Sequence, residues 1–337
     1  MRIAVDAMGG DIGPKATVPG ALTAAADFGV DILLVGLETA IRRETGKHGP
    51  LGSRVSIVNA PEEIGMADGL LAFRRKKASS IRVGAQLVKD GRADAFVSMG
   101  NTGAVVYISR DVLGALKGVD RPALALLVPG LEGKTLLLDV GANANCQPHN
   151  LVQFAFMGKI FMEAVIGLKD PRIGLMSIGE EKGKGNDLVK ETFDRLQEAP
   201  LRFIGNVEGK DLFSSVADVI VSDGFTGNIA LKVSEGVVQS VLSMARHEIT
   251  KNIFAKLGYL LMKRHLKKVY KKIDYSEYGG AQLLGVDGVC IIGHGRSNPA
   301  AVRNAIGLAR EFVAGGVQAK IQAEILRYEH ALRGVAP

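Results

Sequence analysis

Two short strings carry the residue types that chemistry on an oxyanion needs. ADAFVSMGNTGA at residues 93–104 recurs as ADVIVSDGFTGN at residues 217–228, with seven of twelve positions identical. Each runs from a short apolar stretch into Ser-x-Gly-x-Thr-Gly and then into an apolar helical pattern. That order predicts a strand, a tight glycine turn and a helix start. Unpaired N–H groups and the positive end of the helix dipole suit phosphate at such a start. Ser98, Gly100, Asn101, Thr102 and Gly103 in one copy, and Ser222, Gly224, Thr226 and Gly227 in the other, are therefore candidate binding residues, expected as two walls of one cleft. Either copy alone reads equally well as an ordinary strand-to-helix turn; the matched pair favours a site.

Four further turns carry polar chemistry. In DAMGGD, Gly9 and Gly10 let backbone approach a ligand, with Asp6 and Asp11 on either side. This is neither GxGxxG nor a Walker loop. Asp139, Asn143 and Asn145 pack an acid and two amides behind a strand, either to orient a substrate or to form a self-capped Asx turn. GEEKGKGNDL sets Lys182 and Lys184 among glycines before a helix that Asn186 or Asp187 can cap. A lysine held so can contact phosphate or an oxyanion, Lys184 more than Lys182; a solvated loop lysine is the alternative. In IIGHGRSN, His294 is an acid or base, or simply a hydrogen-bond partner of the backbone, and Ser297 or Asn298 starts the next helix.

HExxH, GxSxG, clustered Cys/His ligands and paired metal carboxylates do not occur. Neither Cys146 nor Cys290 has an obvious activating histidine beside it. No metal and no cofactor are expected. What remains is a site of glycine turns, amides, hydroxyls and lysines, able to bind phosphate and polarise a carbonyl without attacking it.

The elements that must hold these turns are legible as alternation. Strand-like runs occur at RIAVDA, DILLVG, RVSIVNA, ADAFVSM, ALALLVP, TLLLDVG, RIGLMSIG, ADVIVSD and GVCIIGHG, with helical patterns such as Ile81–Lys89, Val152–Ile166 and Leu188–Leu196 between them. This predicts an α/β protein with a mainly parallel sheet and helices on both faces. The short link between ALALLVP and TLLLDVG predicts an antiparallel hairpin. No Pro/Gly/Ser-rich linker divides residues 1–337, which are expected to form one α/β domain, either undivided or two-lobed.

Residues 248–278 differ from the rest. Ile253, Phe254, Leu257, Leu260 and Leu261 share one helical face, and Met262, Leu266, Val269, Tyr270 and Ile273 share another, nearly opposite. The pattern predicts a break near Gly258–Met262. It reads either as a buried helix pair with a solvated lysine face or as a projecting amphipathic element that meets a membrane surface or an acidic partner. Residues 251–272 hold eight of the Lys and Arg residues and no acid, so the net charge of +7 is local and the remainder stands at about −1. That argues against a nucleic-acid groove. Distant cysteines, the absence of a signal-peptide layout and the lack of any apolar run of about 18 residues point to a cytoplasmic protein that spans no membrane.

Taken in order, VDAMGGD, ASSIRVG, SMGNTGA, LDVGANAN, SDGFTGN and DYSEYGGAQLLGV followed by IIGHGRSN resemble the PlsX family of phosphate acyltransferases from residue 2 to about residue 310. Each motif alone is modest; the ordered set is specific. The resemblance implies a Rossmann-like three-layer α/β/α sandwich, a homodimer and peripheral membrane association. It implies transfer of a fatty acyl group from acyl-carrier protein to inorganic phosphate for bacterial phospholipid synthesis. It makes Lys184 and Asn228 the catalytic candidates. Ile253, Phe254, Leu257, Leu260 and Leu261 become membrane contacts, and Lys263, Arg264, Lys267, Lys268, Lys271 and Lys272 contacts of the acidic carrier protein. Rival readings are a short-chain phosphate acyltransferase using acyl-coenzyme A, a dehydrogenase of the isocitrate type, which needs an aspartate cluster not found here, and a non-catalytic membrane scaffold. This chain departs from the family at DGLLAFRRKK, where Leu70 stands near a usual proline, so Arg74 and Arg75 are not assigned to catalysis; Gln282 also replaces a common proline.

Overall fold

The computed structural model describes residues 1–130, 133–273 and 279–332, the side chains of 267–273 and 332 excepted. Its strands are β1 (Arg2–Asp6), β2 (Asp31–Gly36), β3 (Val55–Asn59), β4 (Ala95–Ser98), β5 (Ala123–Gly130), β6 (Gly133–Leu138), β7 (Ile173–Met176), β8 (Phe203–Val207), β9 (Val219–Val221), β10 (Ala281–Leu284) and β11 (Val289–Ile292). Its α-helices are α1 (Pro14–Phe28), α2 (Glu38–Thr45), α3 (Leu70–Arg75), α4 (Ser80–Lys89), α5 (Thr102–Leu113), α6 (Pro148–Phe161), α7 (Asp187–Glu198), α8 (Gly224–Lys251), α9 (Ile253–Ile273), α10 (Pro299–Gly315) and α11 (Val317–Leu332).

All eleven strands join one sheet in the order β3-β2-β1-β4-β11-β10-β5-β6-β9-β7-β8. Period-two side chains feed two cores, one on each face. Ile3, Val5, Ala95 and Val97 point to one, and Ala4 and Phe96 to the other. Helices cover both faces, giving the expected three layers. α6 is apolar almost all round and buries Phe154, Phe156 and Phe161 under the sheet.

The expected hairpin is present, with β5 antiparallel to β6 from Ala125↔Leu138 to Gly130↔Gly133. β10 is antiparallel to both of its neighbours, whereas the outer pairs on either side are parallel. Three successive reversals therefore set the parallel half containing β1 and β4 against the half containing β6, β9 and β7.

The basic element is corrected in one respect. α9 runs unbroken through Gly258 and Met262, and the break falls at Asn252, with φ −126° and ψ 135°. Asn252 ends α8 and starts α9, its side-chain carbonyl accepting from Phe254 N at 2.8 Å. The opposed stripes do not force a break because the first is not buried: Ile253, Phe254, Leu257, Leu260 and Leu261 are all exposed, as is Met262 of the second, whose Val269, Tyr270 and Ile273 side chains lie outside the described residues. Among the described residues no helix is long and apolar enough to cross a membrane.

Candidate functional site

The repeated string owes its two copies to one device, a pair of neighbouring parallel strands that end together. Val5 lies opposite Val97, so Asp6 and Ser98 close β1 and β4; Leu138 lies opposite Val221, so Asp139 and Ser222 follow β6 and β9. Each serine thus meets the aspartate turn of the adjacent strand. The copies then diverge in their caps. Asn101 caps α5 by accepting from Ala104 N at 3.1 Å, whereas Asp223, at the place of Met99, caps α8 by accepting from Thr226 N at 2.9 Å. α8 consequently begins two residues earlier in the repeat than α5.

Asp139 is fully buried and holds its turn shut. Oδ1 accepts from Leu124 N, Gly141 N and Ala142 N at 3.1, 3.0 and 2.9 Å, and Oδ2 from Asn143 N and Nδ2, both at 2.8 Å. Asn143 Nδ2 also donates to the Pro122 carbonyl at 2.7 Å, and the Asn143 carbonyl accepts from Gly224 N at 2.8 Å, which fastens the turn to the start of α8. Burial raises the carboxyl pKa of Asp139 against the lowering effect of these bonds.

Asp6 does the same work in the other half. It accepts from Ser98 Oγ at 2.7 Å and Met8 N at 3.1 Å, with further bonds from Ser80 and Gly9, and burial raises its pKa too. Asp6 and Asp139, expected as candidate binding residues, are both buried here. Their oxygens accept from neighbouring N–H and O–H groups of the turns. Asn143, Ser98 and Ser222 are buried with them.

A cavity of about 570 Å³ opens where three loops converge: the Asp139 turn, the glycine loop after β7, and the start of α8. Ala144, Asn145, Cys146, Gln147, Asn186, Leu188, Asp223, Phe225 and Thr226 line it. Lys184 and Asn228 stand on these same loops, two residues from Asn186 and Thr226. Lys184 is exposed, its Cγ and Cδ folded over Gly179, and Gly183 and Gly185 at φ 94° and 99° shape the loop that carries it. Asn186 caps α7 through Val189 N at 3.0 Å. Asn228 Cγ lies 3.7 Å from where a side chain on Gly141 would begin, so the amide overhangs the Asp139 turn. Lys182, by contrast, pairs with Asp194 at 3.1 Å, as a loop lysine.

The first copy of the repeat lies elsewhere. Gly9, Gly10, Asp11, Gly100, Asn101, Thr102, Gly103, His294 and Ser297 gather at the ends of β1, β4 and β11, where Asp11 N donates to the Gly295 carbonyl at 2.7 Å. None of them lines the cavity, so of the two copies only the second contributes to its walls. His294 Nδ1 accepts from Arg296 N at 3.1 Å, the backbone role left open above. Burial lowers the His294 pKa; Glu235 opposes this and Lys232 adds to it. Both are on α8, which therefore links the His294 turn to the cavity.

Cys146, Gln147, Leu188, Asp223 and Phe225 were not singled out from sequence. A readable signal lay beside Gln147, since Pro148 follows it at the start of α6, where Gln147 N donates to Asn150 Oδ1 at 2.8 Å. Burial pushes the Cys146 thiol up to about 11, which leaves it protonated and unsuited to attack a thioester near neutral pH. Among the described residues no group of three or more His, Cys, Asp or Glu side chains is placed to hold a metal ion.

A family model described as "Fatty acid synthesis protein" matches residues 1–320. Proteins named phosphate acyltransferase are similar over nearly the whole chain. That of Geobacter sulfurreducens is 50% identical over 95% of this chain and 93% of its own. That of Geotalea uraniireducens is 48% identical over 98% and 96%. Among solved structures, a phosphotransacetylase from Streptococcus pyogenes superposes with a TM-score of 0.60 at 16% identity, covering 93% of this chain and 94% of its own, a likeness of fold.

Proposed function

The chain belongs to the fatty acid synthesis protein family and is an acyltransferase that uses phosphate as acceptor, and from that premise we propose that its donor is a long-chain fatty acyl thioester of acyl-carrier protein, and its product an acyl phosphate for phospholipid synthesis. What supports this reading is the cavity at the start of α8, whose lining includes Asn186 and Thr226, two residues from Lys184 and Asn228 respectively. A phosphate oxygen attacks the thioester carbonyl carbon. The carbon–oxygen bond forms, the carbon–sulfur bond breaks, and the carrier thiolate leaves and takes up a proton. Phosphate is already nucleophilic at neutral pH, so the chain needs to hold both reactants and stabilise the oxyanion. Lys184 and Asn228 donate to the phosphate or to that oxyanion. Asn145, Thr226 and the Phe225 N–H, which has no backbone acceptor outside α8, complete the cavity. Incubation with palmitoyl-carrier protein and labelled phosphate, without added metal, is expected to yield labelled acyl phosphate. A wild-type enzyme that acylates phosphate only from a short-chain coenzyme A thioester refutes the long-chain carrier donor.

A homodimer and a cytoplasmic, peripherally membrane-bound location belong to the same reading. Phe225, Ile229, Val233, Val237, Val241 and Met244 recur every three or four residues along α8 and are all exposed, a stripe suited to a second copy of the chain. At the Asn252 turn, about 42 Å along α8 from its start, exposed Ile253, Phe254, Leu257, Leu260 and Leu261 suit an anionic bilayer. Exposed Lys263 and Arg264 add charge attraction for headgroups and for an acidic carrier; the side chains of Lys267, Lys268, Lys271 and Lys272 lie outside the described residues. Leu257→Glu with Leu261→Glu is expected to release the protein from anionic vesicles in a sedimentation assay while activity in solution survives. Unchanged sedimentation removes the membrane contact.

A further inference from the structure

The DGLLAFRRKK segment, which the site does not use, forms a surface of its own. α3 is a six-residue helix with one buried side chain, Phe73, whose ring centroid lies 6.2 Å from that of Tyr107 on α5. Arg74 Nε donates to the Tyr107 hydroxyl at 3.1 Å. The outward side is apolar, with Leu70 48% and Leu71 69% exposed and Met66 41% exposed just before them.

Charge on this surface is one-sided. Lys76 is tied to Asp68 at 2.7 Å, and Arg82 neutralises Asp111 of α5 at 2.8 Å. Glu62 accepts from Ala78 N at 2.7 Å. Arg74, Arg75, Lys77 and Arg110 make no ion pair among the described residues, so four cations flank the leucines against the single exposed carboxylate of Glu63 on the same segment.

The segment is clamped beside the turns of the first half. Asn101 Nδ2 donates to the Met66 and Asp68 carbonyls at 2.8 and 3.3 Å, and Met66 Cε lies 2.6 Å from where a side chain on Gly295 would begin. His294, next to Gly295, feels Lys232 and Glu235 of α8. Asn228 lies one to two turns earlier on that helix, about 6–10 Å of rise. α3 is thus fastened beside the His294 turn, which faces the part of α8 that follows Asn228.

We propose that the α3–α5 face, with Leu70 and Leu71 as its apolar anchor and Arg74, Arg75, Lys77 and Arg110 as its rim, docks the acidic carrier protein that delivers the acyl group. The inference rests on the carrier-donor reading above. An acidic protein matches the surplus cations, which steer and orient it, while the central leucines exclude water. A bilayer fits less well: one six-residue helix lacks the long apolar face that lies in a membrane interface, a face α9 offers. Docking at this rim sets the carrier beside the first-half turns that Asn101 and Gly295 tie to the Met66 segment.

The test uses the full chain with Arg75→Glu and Lys77→Glu together. Affinity for the unacylated carrier protein is read by fluorescence anisotropy, and KM and kcat with palmitoyl-carrier protein and phosphate. Carrier Kd and KM are expected to rise about tenfold or more and the salt dependence of KM to flatten, with kcat, melting temperature and vesicle sedimentation unchanged. Arg75→Ala with Lys77→Ala, and Leu71→Ser, give milder losses of the same kind should the reversal not fold. Unchanged carrier affinity overturns the proposal. So does a loss confined to Lys263→Glu with Arg264→Glu, or reduced vesicle sedimentation with carrier affinity intact, which assigns the face to lipid. Failure of the donor reading looks different, because wild type then makes no acyl phosphate from the carrier thioester.

Discussion

Lys184→Ala is expected to slow acyl phosphate formation by about a hundredfold to a thousandfold while leaving the melting temperature unchanged. The rate estimate follows from removing one preorganised donor to a developing oxyanion. The stability estimate follows from position. Lys184 is exposed, makes no ion pair among the described residues, and touches the protein through methylenes over Gly179; such a substitution stays within about 0.5 kcal/mol. Asn228→Ala should match it in rate, by about a hundredfold or more. Its stability should hold or rise slightly, since Asn228 is exposed in the first turns of α8 and alanine is the better helix former. Should both donors act on one oxygen, the double variant loses less than the product of the single losses. Single-turnover rates with labelled phosphate check this, and near-wild-type turnover in both single variants removes the pair from the mechanism.

Strands were legible where a short β-branched run carried one, and opaque where chemistry broke the run. β10 contains Gln282, fully buried in a strand of four residues, its Nε2 bonded to the Gly280 carbonyl at 2.9 Å. A polar residue there hides a central strand from any hydrophobic pattern. β8 lies at the sheet edge with Gly205 at φ 102° in its middle, so it carries little periodic signal. The opposed stripes misplace the break at Asn252 because they presume that one face must be buried, whereas the face of Ile253, Phe254, Leu257, Leu260 and Leu261 is exposed.

The candidate site was legible as residues and not as a place. Glycine turns, the lysine loop and the caps are local, and their types announce them. The meeting of the Asp139 turn, the Lys184 loop and the α8 start depends on β9 lying between β6 and β7, an order set by non-local pairing. Asp6 and Asp139 show the complementary limit. An aspartate behind a strand reads as a ligand until burial and five neighbouring donors reveal it as the frame of its turn.

That frame gives the second large effect. Gly227→Ala is expected to destabilise the chain by about 3 kcal/mol or more, against the usual trend for a helical glycine. A side chain here would run into the Asp139 carbonyl oxygen and stand 2.8 Å from Ser222 Oγ. Neither can yield: one is backbone of a turn fastened by Asp139, the other a buried group at the end of β9. α8 must instead back away, which costs more than ordinary overpacking of about 1–3 kcal/mol. Gly236→Ala in the same helix is the control. It is exposed with nothing within 4 Å of its missing side chain, so alanine should stabilise by up to about 1 kcal/mol. Helix propensity predicts the same sign at both positions; contact with the Asp139 turn predicts opposite signs, and chemical denaturation of the two variants decides between them. The folded fraction of Gly227→Ala should also lose turnover, because Asn228 moves with α8 and a shift of about 1 Å in a positioned donor can cost about a hundredfold in rate. Equal stabilisation by both substitutions would mean that α8 is not seated on the turn, and the cavity between them would lose its wall.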